Sequence, residues 1–299
     1  MVVVLAGGTG GAKLARGMLD VVGGDELAVI ANTGDDSWHY GVHVSPDPDL
    51  VAYWLADVID ERGWGVYGDT WGEMDRRRAS GEQIWFNLGD RDLAFCRMRT
   101  ERLRAGARLT QAHGAVVDSL GVPARVLPMS DEPVATWVQV RGEWRPFQEF
   151  MILERGAGPE AIELRGIESA RPTPEVLEAI ERADAIVIGP SNPVISIGPI
   201  LAVPGMREAL AAADAPVVAV SPFVGGEVLK GPTEAFCRMA GLGTGSAAVE
   251  HAYAGVADGV LADEPAPSLP TRIADVLMDT PEGRTRVAQA ALLLTQTLE

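Results

Sequence analysis

Lysine is almost absent from this chain of 299 residues: it occurs only at Lys13 and Lys230, and the other basic residues are arginines. Acidic residues outnumber basic ones by 42 to 25, so the formal net charge is −17. Proteins that bind nucleic acid neutralise phosphates with clustered Lys and Arg. The charge balance therefore argues against nucleic acid as a main partner. It also implies that a bound polyanion would need a metal cation beside it.

Cysteine is rare as well, and long apolar runs are missing. Cys96 and Cys237 have neither the spacing of a zinc site nor the density of a disulfide framework. The first apolar run follows no basic segment and is too short for a signal peptide or a membrane span. We therefore expect a cytoplasmic protein that has no membrane partner.

Near its start the chain carries a glycine-rich stretch that is typical of phosphate binding. The apolar residues Val2–Leu5 predict a buried parallel strand, and helical periodicity runs from Ala12 to Val22. The loop between them contains Gly7, Gly8, Thr9, Gly10 and Gly11. A helix N-terminus behind such a loop attracts phosphate, and Lys13 adds a positive charge. The alternative is a tight turn that only packs the helix on the sheet.

The glycine loop matches neither of two common nucleotide-binding patterns. A Walker loop needs Gly before its lysine and Ser or Thr after it, whereas Ala12 and Leu14 flank Lys13. A dinucleotide fingerprint needs a third glycine and an acid after the second strand. The second predicted strand, Leu27–Ala31, ends in Asn32 instead. Both patterns are therefore disfavoured.

Alternation of buried strands and helices predicts an α/β fold: a Rossmann-like, doubly wound, mostly parallel sheet in a single domain over residues 1–299. We expect residues 61–165 to form a smaller insertion with helices and an antiparallel hairpin. The predicted strands after Ala31 are Ala124–Pro128, Val134–Val140, Trp144–Ile152, Ala185–Gly189, Val217–Val220 and Ala274–Met278. The predicted helices include Asp49–Asp60, Met206–Ala213 and those that begin at Thr173-Pro174 and Thr280-Pro281.

Four loops follow predicted parallel strands directly, and parallel strands place such loops at one edge of the sheet, where ligands bind. These loops are Gly7–Gly11, Asn32–Asp36, Gly189–Pro193 and Ser221–Gly226. Asn32, Ser191, Asn192 and Ser221 are therefore candidate contacts for a nucleotide. Ser191-Asn192 alternatively forms an Asx turn that binds no ligand.

Four acids crowd the segment after the second strand, namely Asp35, Asp36, Asp47 and Asp49. Carboxylates this close together repel one another unless a cation lies between them. Hard oxygen ligands beside a phosphate loop favour Mg²⁺, and we predict Asp35 and Asp49 as its ligands. The alternative is that Asp35 and Asp36 shape a turn while Asp49 caps the next helix.

Aromatic and charged side chains nearby suggest a site for a flat ligand. Trp38, His39 and Tyr40 could line such a ligand or belong to an ordinary core. Zinc binding by His39 and His43 is disfavoured, because Gly41 and the surrounding loop make a helix there improbable. Asp90 and Arg91, in the sequence Gly89-Asp-Arg-Asp92, either contact a ligand or form a structural ion network and cap.

Taken together, these motifs resemble the 2-phospho-L-lactate transferase family. The resemblance rests on Leu5–Lys13, Asn32–Asp36, Ser45–Asp49, Leu88–Asp92, Gly189–Pro199 and Ser221-Pro222, which stand in the family's order. Gly189–Pro199 is the longest and most specific of these matches. Pro48 departs from the family's pattern, in which a leucine is expected, and we expect it to stiffen the loop.

The resemblance implies a Rossmann-like enzyme, usually a homodimer, that requires Mg²⁺. Such an enzyme moves a phospholactyl or phosphoenolpyruvyl group from a guanosine-diphosphate-activated donor to the deazaflavin Fo. GMP leaves, and the product is coenzyme F(420)-0 or its dehydro form. By motif, Asp35 and Asp49 correspond to metal-binding or Fo-proximal acids.

In this interpretation the catalytic carboxylates are Asp35, Asp36 and Asp49, and Asp35 or Asp36 accepts the proton of the Fo hydroxyl. Trp38, His39, Asp90 and Arg91 would contact Fo. Two other functions remain open, a sugar-nucleotide-binding regulator without turnover and a nicotinamide oxidoreductase. The sequence leaves open whether the donor carries lactate or enolpyruvate.

Overall fold

A seven-stranded, wholly parallel sheet forms the centre of the computed structural model, which describes residues 1–228 and 231–298. Its strands are β1 (Val2–Ala6), β2 (Leu27–Ala31), β5 (Arg125–Pro128), β9 (Ala185–Ile188), β10 (Val217–Val220), β13 (Gly259–Ala262) and β14 (Thr271–Ile273). They lie in the order β14-β13-β10-β9-β1-β2-β5. The strand order therefore reverses between β1 and β9, which is where doubly wound folds bind ligands.

Except at the edge strand β14, whose residues are half-buried or exposed, both faces of this sheet are buried, which explains why its inner strands are apolar without alternation. Along β1, Val3 and Leu5 belong to one hydrophobic core, while Val2 and Val4 belong to the core on the opposite face. β-Branched side chains suit such strands because they pack well on a pleated surface. The sheet therefore has a helical layer on each side.

One layer contains α1 (Gly8–Val22), α2 (Pro46–Leu55) and α12 (Pro281–Thr295), whose apolar sides share a core with Val4 and Val29. The helices that contribute to the other core are α6 (Phe147–Leu153), α7 (Pro174–Glu181), α8 (Ile197–Ala202), α9 (Met206–Ala211), α10 (Thr233–Met239) and α11 (Gly245–Ala252).

The remaining elements lie outside the central sheet. The hairpin β3 (Ser37–His39) and β4 (Val42–Val44) follows β2, and an antiparallel sheet has the order β7-β6-β8. That sheet contains β6 (Ala135–Val140), β7 (Glu143–Pro146) and β8 (Ala161–Arg165), while β11 (Phe223–Val224) and β12 (Glu227–Val228) form a further pair. The helices are α3 (Gly72–Ala79), α4 (Asp90–Arg104) and α5 (Leu109–Ser119), with a 3₁₀ turn at Ile167–Ser169.

The predicted doubly wound, parallel α/β fold is confirmed. β5 lies inside the range 61–165 and pairs with β2 in the central sheet, whereas the other elements of that range lie outside it. The extent of the insertion stays a prediction.

Several predicted elements differ from the structure. α1 begins at Gly8 rather than Ala12, and α2 begins at Pro46 rather than Asp49. The segment 144–152 is half strand and half helix, because Phe147 and Phe150 enter the core at helical spacing. No strand covers 274–278, where Asp275 accepts a hydrogen bond from the Leu277 amide, and β13 was missed.

Gly17 sets how closely α1 and α12 approach each other. A Cβ atom at this position would lie 2.4 Å from the carbonyl oxygen of Arg284 in α12. A backbone atom cannot move aside as a flexible side chain can, so only glycine fits here. By contrast, a Cβ at Gly114 in α5 would meet no atom within 4 Å.

We expect Gly17→Ala to lower the free energy of unfolding by about 1–3 kcal/mol, as overpacked cores do, although alanine favours helices. The matched variant Gly114→Ala, also inside a helix, should raise it by about 0.5–1 kcal/mol. Urea unfolding followed by circular dichroism measures both. If Gly17→Ala raised the free energy of unfolding as Gly114→Ala does, α1 and α12 would not be in close contact at Gly17.

Candidate functional site

A cleft of about 750 Å³ opens where the loops after β1, β2, β9 and β10 meet at the carboxyl edge of the sheet. The predicted site residues that line it are Gly7, Gly8, Thr9, Gly10, Lys13, Asp35, Ser191, Asn192 and Ser221. Asp47, Trp64, Gln148 and Asp279 also contribute to its walls. The predicted convergence of the four loops is therefore confirmed.

The glycines after β1 allow two loops to pack against each other. A Cβ at Gly10 would lie 2.0 Å from the carbonyl oxygen of Pro190, and one at Gly7 would lie 2.7 Å from the Cβ of Ser196. Gly11 donates its amide hydrogen to the Ser191 hydroxyl over 2.9 Å. Close packing thus accounts for Gly7, Gly10 and Gly11, and it leaves the N-terminus of α1 facing the cleft.

Asp47 binds this helix N-terminus directly, although the sequence interpretation did not select it. Its Oδ1 accepts a hydrogen bond from the Gly8 amide at 2.8 Å, and its Oδ2 accepts one from the Asn32 side-chain amide at 2.9 Å. Burial raises the pKa of Asp47 to about 6, against the two hydrogen bonds, which lower it. No signal in the sequence separates it from Asp49, because both acids lie in the first turn of α2.

Asp35 is buried beside Asp47 and lines the same cleft. Its Oδ1 atom is buried and has no hydrogen-bond partner. Burial raises the pKa of Asp35 well above its usual range, and the neighbouring charges of Asp47 and Asp36 raise it further. A carboxylate in this position would be stabilised by a cation.

Asp36 contacts Ser45 and His43 rather than the cleft. Both of its oxygens accept hydrogen bonds from the Ser45 hydroxyl at 2.8 Å, and His43 Nε2 lies 3.5 Å away. Burial raises the pKa of Asp36 well above its usual range, while Ser45 and Arg99 act in the opposite direction. Asp36 is not among the residues that line the cleft.

Asp49 forms a buried ion pair with Arg99 of α4. Arg99 Nη1 lies 2.6 Å from Oδ1, Nη2 lies 2.8 Å from Oδ2, and the arginine side chain is fully buried. His113 Nδ1 is 3.7 Å from Oδ1, and burial lowers the pKa of His113 to about 4, so this histidine is neutral. Both oxygens of Asp49 are therefore already bound to a cation.

The predicted nucleotide contacts have separate roles. Asn32 does not line the cleft; it binds Asp47 and accepts a hydrogen bond from the Gly34 amide. Asn192 Oδ1 accepts from the amides of Val194 and Ile195, which is the Asx turn that the sequence left open. Its Nδ2 atom is nevertheless buried without a partner in a residue that lines the cleft, so it can donate to a ligand.

Lys13 lies at the rim of the cleft, where its Nζ is 2.9 Å from Asp279 Oδ1. Among the described residues that line the cleft, it is the one basic side chain. Ser221 also lines the cleft, but its hydroxyl is hydrogen-bonded to the amide and carbonyl of Phe223. Lys13 is thus placed to add charge beside a bound phosphate.

A second cavity of about 360 Å³ adjoins the cleft and has mostly apolar walls. Asp47, Trp64 and Gln148 line both spaces, so the two spaces meet at these side chains. The aromatic residues of the second cavity are Tyr53, Trp64, Trp71, Trp85 and Phe86. A flat aromatic molecule suits such walls.

Asp92 brings a carboxylate into this aromatic cavity, and it was not among the predicted site residues. Its Oδ1 accepts a hydrogen bond from the Tyr53 hydroxyl at 2.8 Å. Burial, and then the charge of Asp49, raise the pKa of Asp92 to about 7. Asp49 and Asp92 both line the second cavity.

Trp38 and His39 do not line either space. Trp38 is largely exposed on β3 and packs edge-on against His43, whereas His39 stacks on Phe86 at 4.0 Å between ring centroids. The aromatic lining comes instead from Tyr53 of α2 and from the segment 64–86. Contact of Trp38 or His39 with a ligand stays a prediction.

Asp90 and Arg91 lie at the junction of two helices. Asp90 accepts hydrogen bonds from the amides of Gly72 and Glu73 and so caps α3, and these bonds together with one from Thr70 lower its pKa. Arg91 is exposed and donates to the Tyr67 carbonyl at 2.8 Å. The capping alternative is therefore correct for Asp90, and neither residue lines either space.

The carboxylates of the cleft fit a divalent metal ion. Asp35 and Asp47 both line the cleft, and burial raises the pKa of each, with the charge of Asp47 raising that of Asp35 further. The unpartnered oxygen of Asp35 is available as a ligand. Asp49 fits less well, because Arg99 already binds both of its oxygens.

This arrangement suits group transfer between two bound molecules. The cleft offers a helix N-terminus and amide donors to a phosphorylated molecule. The adjoining cavity offers aromatic walls, and the carboxylate of Asp47 lies where the two spaces meet. In the described part of the chain, no helix combines the length and the apolar character needed to cross a membrane.

Residues 2–283 match the sequence profile of a family described as 2-phospho-L-lactate transferase CofD. A phosphoenolpyruvate transferase from Kitasatospora aureofaciens is 42% identical, with 99% of this chain and 98% of that protein covered. A 2-phospho-L-lactate transferase from Methanosarcina mazei is 39% identical, with 88% of this chain and 86% of that protein covered.

The fold also resembles a solved structure. A member of the UPF0052 family from Bacillus halodurans superimposes with a TM-score of 0.61 at 20% identity, covering 97% of this chain and 98% of that one. At this identity the likeness concerns the fold alone.

We expect Arg99→Ala to lower the free energy of unfolding by about 3–5 kcal/mol, because it leaves the buried Asp49 charge unpaired. Arg97 lies on the same helix, is half exposed and approaches Glu73 only to 3.9 Å. Arg97→Ala should therefore change stability by no more than about 0.5 kcal/mol. Denaturant unfolding at neutral pH measures the free energy of unfolding of both variants. If both substitutions changed it by the same small amount, Asp49 would not form a structural ion pair with Arg99.

Proposed function

The chain belongs to the 2-phospho-L-lactate transferase family CofD, and from this premise we propose that it transfers a phospholactyl or phosphoenolpyruvyl group from a guanosine-diphosphate-activated donor to Fo. GMP would leave, and the product would be coenzyme F(420)-0 or its dehydro form. The junction of a phosphate-binding cleft with an aromatic cavity is the observation that carries the proposal. As a member of a transferase family, the chain is an enzyme rather than a regulator without turnover.

The donor is assigned to the cleft after β1 and β9. The N-terminus of α1, at Thr9 and Gly10, would hold its diphosphate, and Lys13 would add positive charge from the rim. The unpartnered Nδ2 of Asn192 would donate a hydrogen bond to the guanosine side. These contacts leave the other phosphorus of the donor turned towards the second cavity.

The deazaflavin acceptor is assigned to the second cavity. Its planar ring matches the aromatic walls, which include Trp85 and Phe86. Its hydroxyl-bearing side chain would extend towards Asp47, where the cavity meets the cleft. Acceptor and donor would then face each other across the shared side chains.

Mg²⁺ is the metal that this donor set fits best, since carboxylate oxygens beside a diphosphate are its usual ligands. We assign it to Asp35 and Asp47, in place of the pair Asp35 and Asp49 that the sequence suggested. When bound, the ion would neutralise charge on the diphosphate. Asp36 is hydrogen-bonded to Ser45 and lies outside the cleft, so Asp35 is the better of the two predicted proton acceptors.

In the transfer itself, the acceptor oxygen would attack the donor-side phosphorus in line with the departing GMP. The new P–O bond joins the acceptor to the acid-bearing phosphate, the bond to the GMP phosphate oxygen breaks, and the hydroxyl proton passes to a carboxylate. The amides of α1 would stabilise the charge that develops on GMP. Attack at the other phosphorus would instead place guanylate on the acceptor.

A single-turnover assay with Fo and each activated donor distinguishes these outcomes. We expect GMP to appear in step with a phosphodiester product of Fo, resolved by anion-exchange chromatography. Comparison of the lactyl and enolpyruvyl donors also identifies which acid is preferred. A guanylylated Fo, or no turnover of either donor, would contradict the proposal.

Replacing Asp35 by Asn should lower turnover by about a hundredfold or more, since it removes charge where the transition state needs it. The same change should weaken Mn²⁺ binding, which electron paramagnetic resonance measures without turnover. Asp47→Asn should likewise lower turnover and weaken Mn²⁺ binding.

Asp49→Asn provides the comparison, because Asp49 pairs with Arg99. We expect this variant to lose stability while it still binds Mn²⁺. Loss of Mn²⁺ binding by Asp49→Asn at unchanged stability would restore Asp49 as a metal ligand and contradict the assignment to Asp47.

A further inference from the structure

The tip of a short hairpin, residues 60–65, stands over the junction of the cleft and the second cavity. Its stem is held by an antiparallel bridge between Ile59 and Val66 and by the Tyr67 amide, which donates to the Val58 carbonyl at 2.7 Å. Within the tip, the Asp60 amide donates to the Gly65 carbonyl at 3.0 Å. The tip is thus a hydrogen-bonded unit that presents one large apolar side chain, Trp64.

Trp64 is 62% exposed, and yet it lines both the cleft and the second cavity. The Arg62 guanidinium lies 5.1 Å from the centroid of its ring, and Asp60 holds that guanidinium at 2.6 Å. The tip also approaches the phosphate-binding helix, since a Cβ at Gly63 would lie 3.8 Å from Thr9 Cγ2. The indole is therefore placed beside the meeting point of the two spaces.

Because Trp64 lines both spaces, a molecule bound there would remove apolar indole surface from water, which favours binding. Asp47 and Gln148, the other side chains shared by both spaces, are polar. Among the described residues that line both spaces, Trp64 is therefore the one apolar side chain. A flat acceptor in the second cavity would pack face to face on the indole, so that each ring shields the other from water.

We propose that Trp64 packs on the ring of the acceptor and keeps water away from the donor phosphorus, so that the donor reacts with the acceptor rather than with water. This inference rests on the proposed function. Closed sites suppress hydrolysis of reactive groups by excluding solvent. Trp64 acts as a positioning residue here, because it takes no part in the bond changes.

The competing reaction is fully defined. A water oxygen attacks the donor-side phosphorus, the bond to the GMP phosphate oxygen breaks, and the water proton is released to solvent. The products are GMP and free phospholactate or phosphoenolpyruvate. Transfer and hydrolysis therefore both release GMP, but only transfer yields a product of Fo, and the ratio of GMP to that product reports how well water is excluded.

The test measures this ratio in the wild type, Trp64→Ala and Trp64→Phe. In the wild type GMP and the Fo product should form in equal amounts. In Trp64→Ala GMP should exceed the Fo product, and the KM for Fo should rise by about fivefold to 100-fold, the range seen when a stacking aromatic is removed. Trp64→Phe should lie between them, because it retains an aromatic face.

Trp144→Ala is the matched control, since Trp144 is 38% exposed on β7 and lines neither space. It should leave both the ratio and the KM unchanged. Equal amounts of GMP and Fo product in Trp64→Ala would overturn the inference, as would a folded Trp64→Ala that releases no GMP. If Trp64→Ala fails to fold, the ratio of GMP to Fo product in Trp64→Phe decides instead, and equal amounts there would overturn the inference.

Failure of the proposed function is a separate result, because it would appear as absence of the Fo product in the wild type itself.

Discussion

The site depends on the close approach of two loops at the point where the strand order of the sheet reverses. The turn after β1 packs on the loop after β9 so tightly that Gly10 and Gly11 have no room for a side chain. This contact places the N-terminus of α1 beside Ser191 and Asn192 in one cleft. A single substituent on either glycine would separate the two halves of the sheet edge, and with them the two halves of the site.

Burial of negative charge is the second constraint, and the protein meets it in two ways. Asp49 is neutralised by the buried Arg99, whose guanidinium binds both carboxylate oxygens. Asp35 and Asp47 have no such arginine among their described contacts, and burial raises the pKa of each. The first pair is neutralised within the protein and would be costly to break, whereas the second leaves charge that a cation or a substrate can neutralise.

Periodicity and glycine placement predicted five strands of the central sheet and the four loops at its carboxyl edge, because apolar strands and strand-end turns are encoded locally, but they missed β13 and β14. They could not assign partners that are distant in sequence. Asp49 and Asp47 look equivalent in the sequence, and only the packing of α4 against β4 separates their roles by bringing Arg99 to Asp49. The aromatic cavity was missed for the same reason: Trp64 and Phe86 meet through a loop and a hairpin that have no regular period.

The position of β1 has a consequence for how the chain acquires its fold. One edge of β1 pairs with β2, which follows it after the single helix α1. Its other edge pairs with β9, where Val2 lies opposite Ala185. During synthesis from the N-terminus, the central strand therefore keeps one edge open until well over half of the chain has been made. Such long-range parallel pairing is slow to form and exposes unpaired backbone meanwhile. The ligand-binding edge of the sheet is thus assembled late, when the second half of the chain closes onto the first.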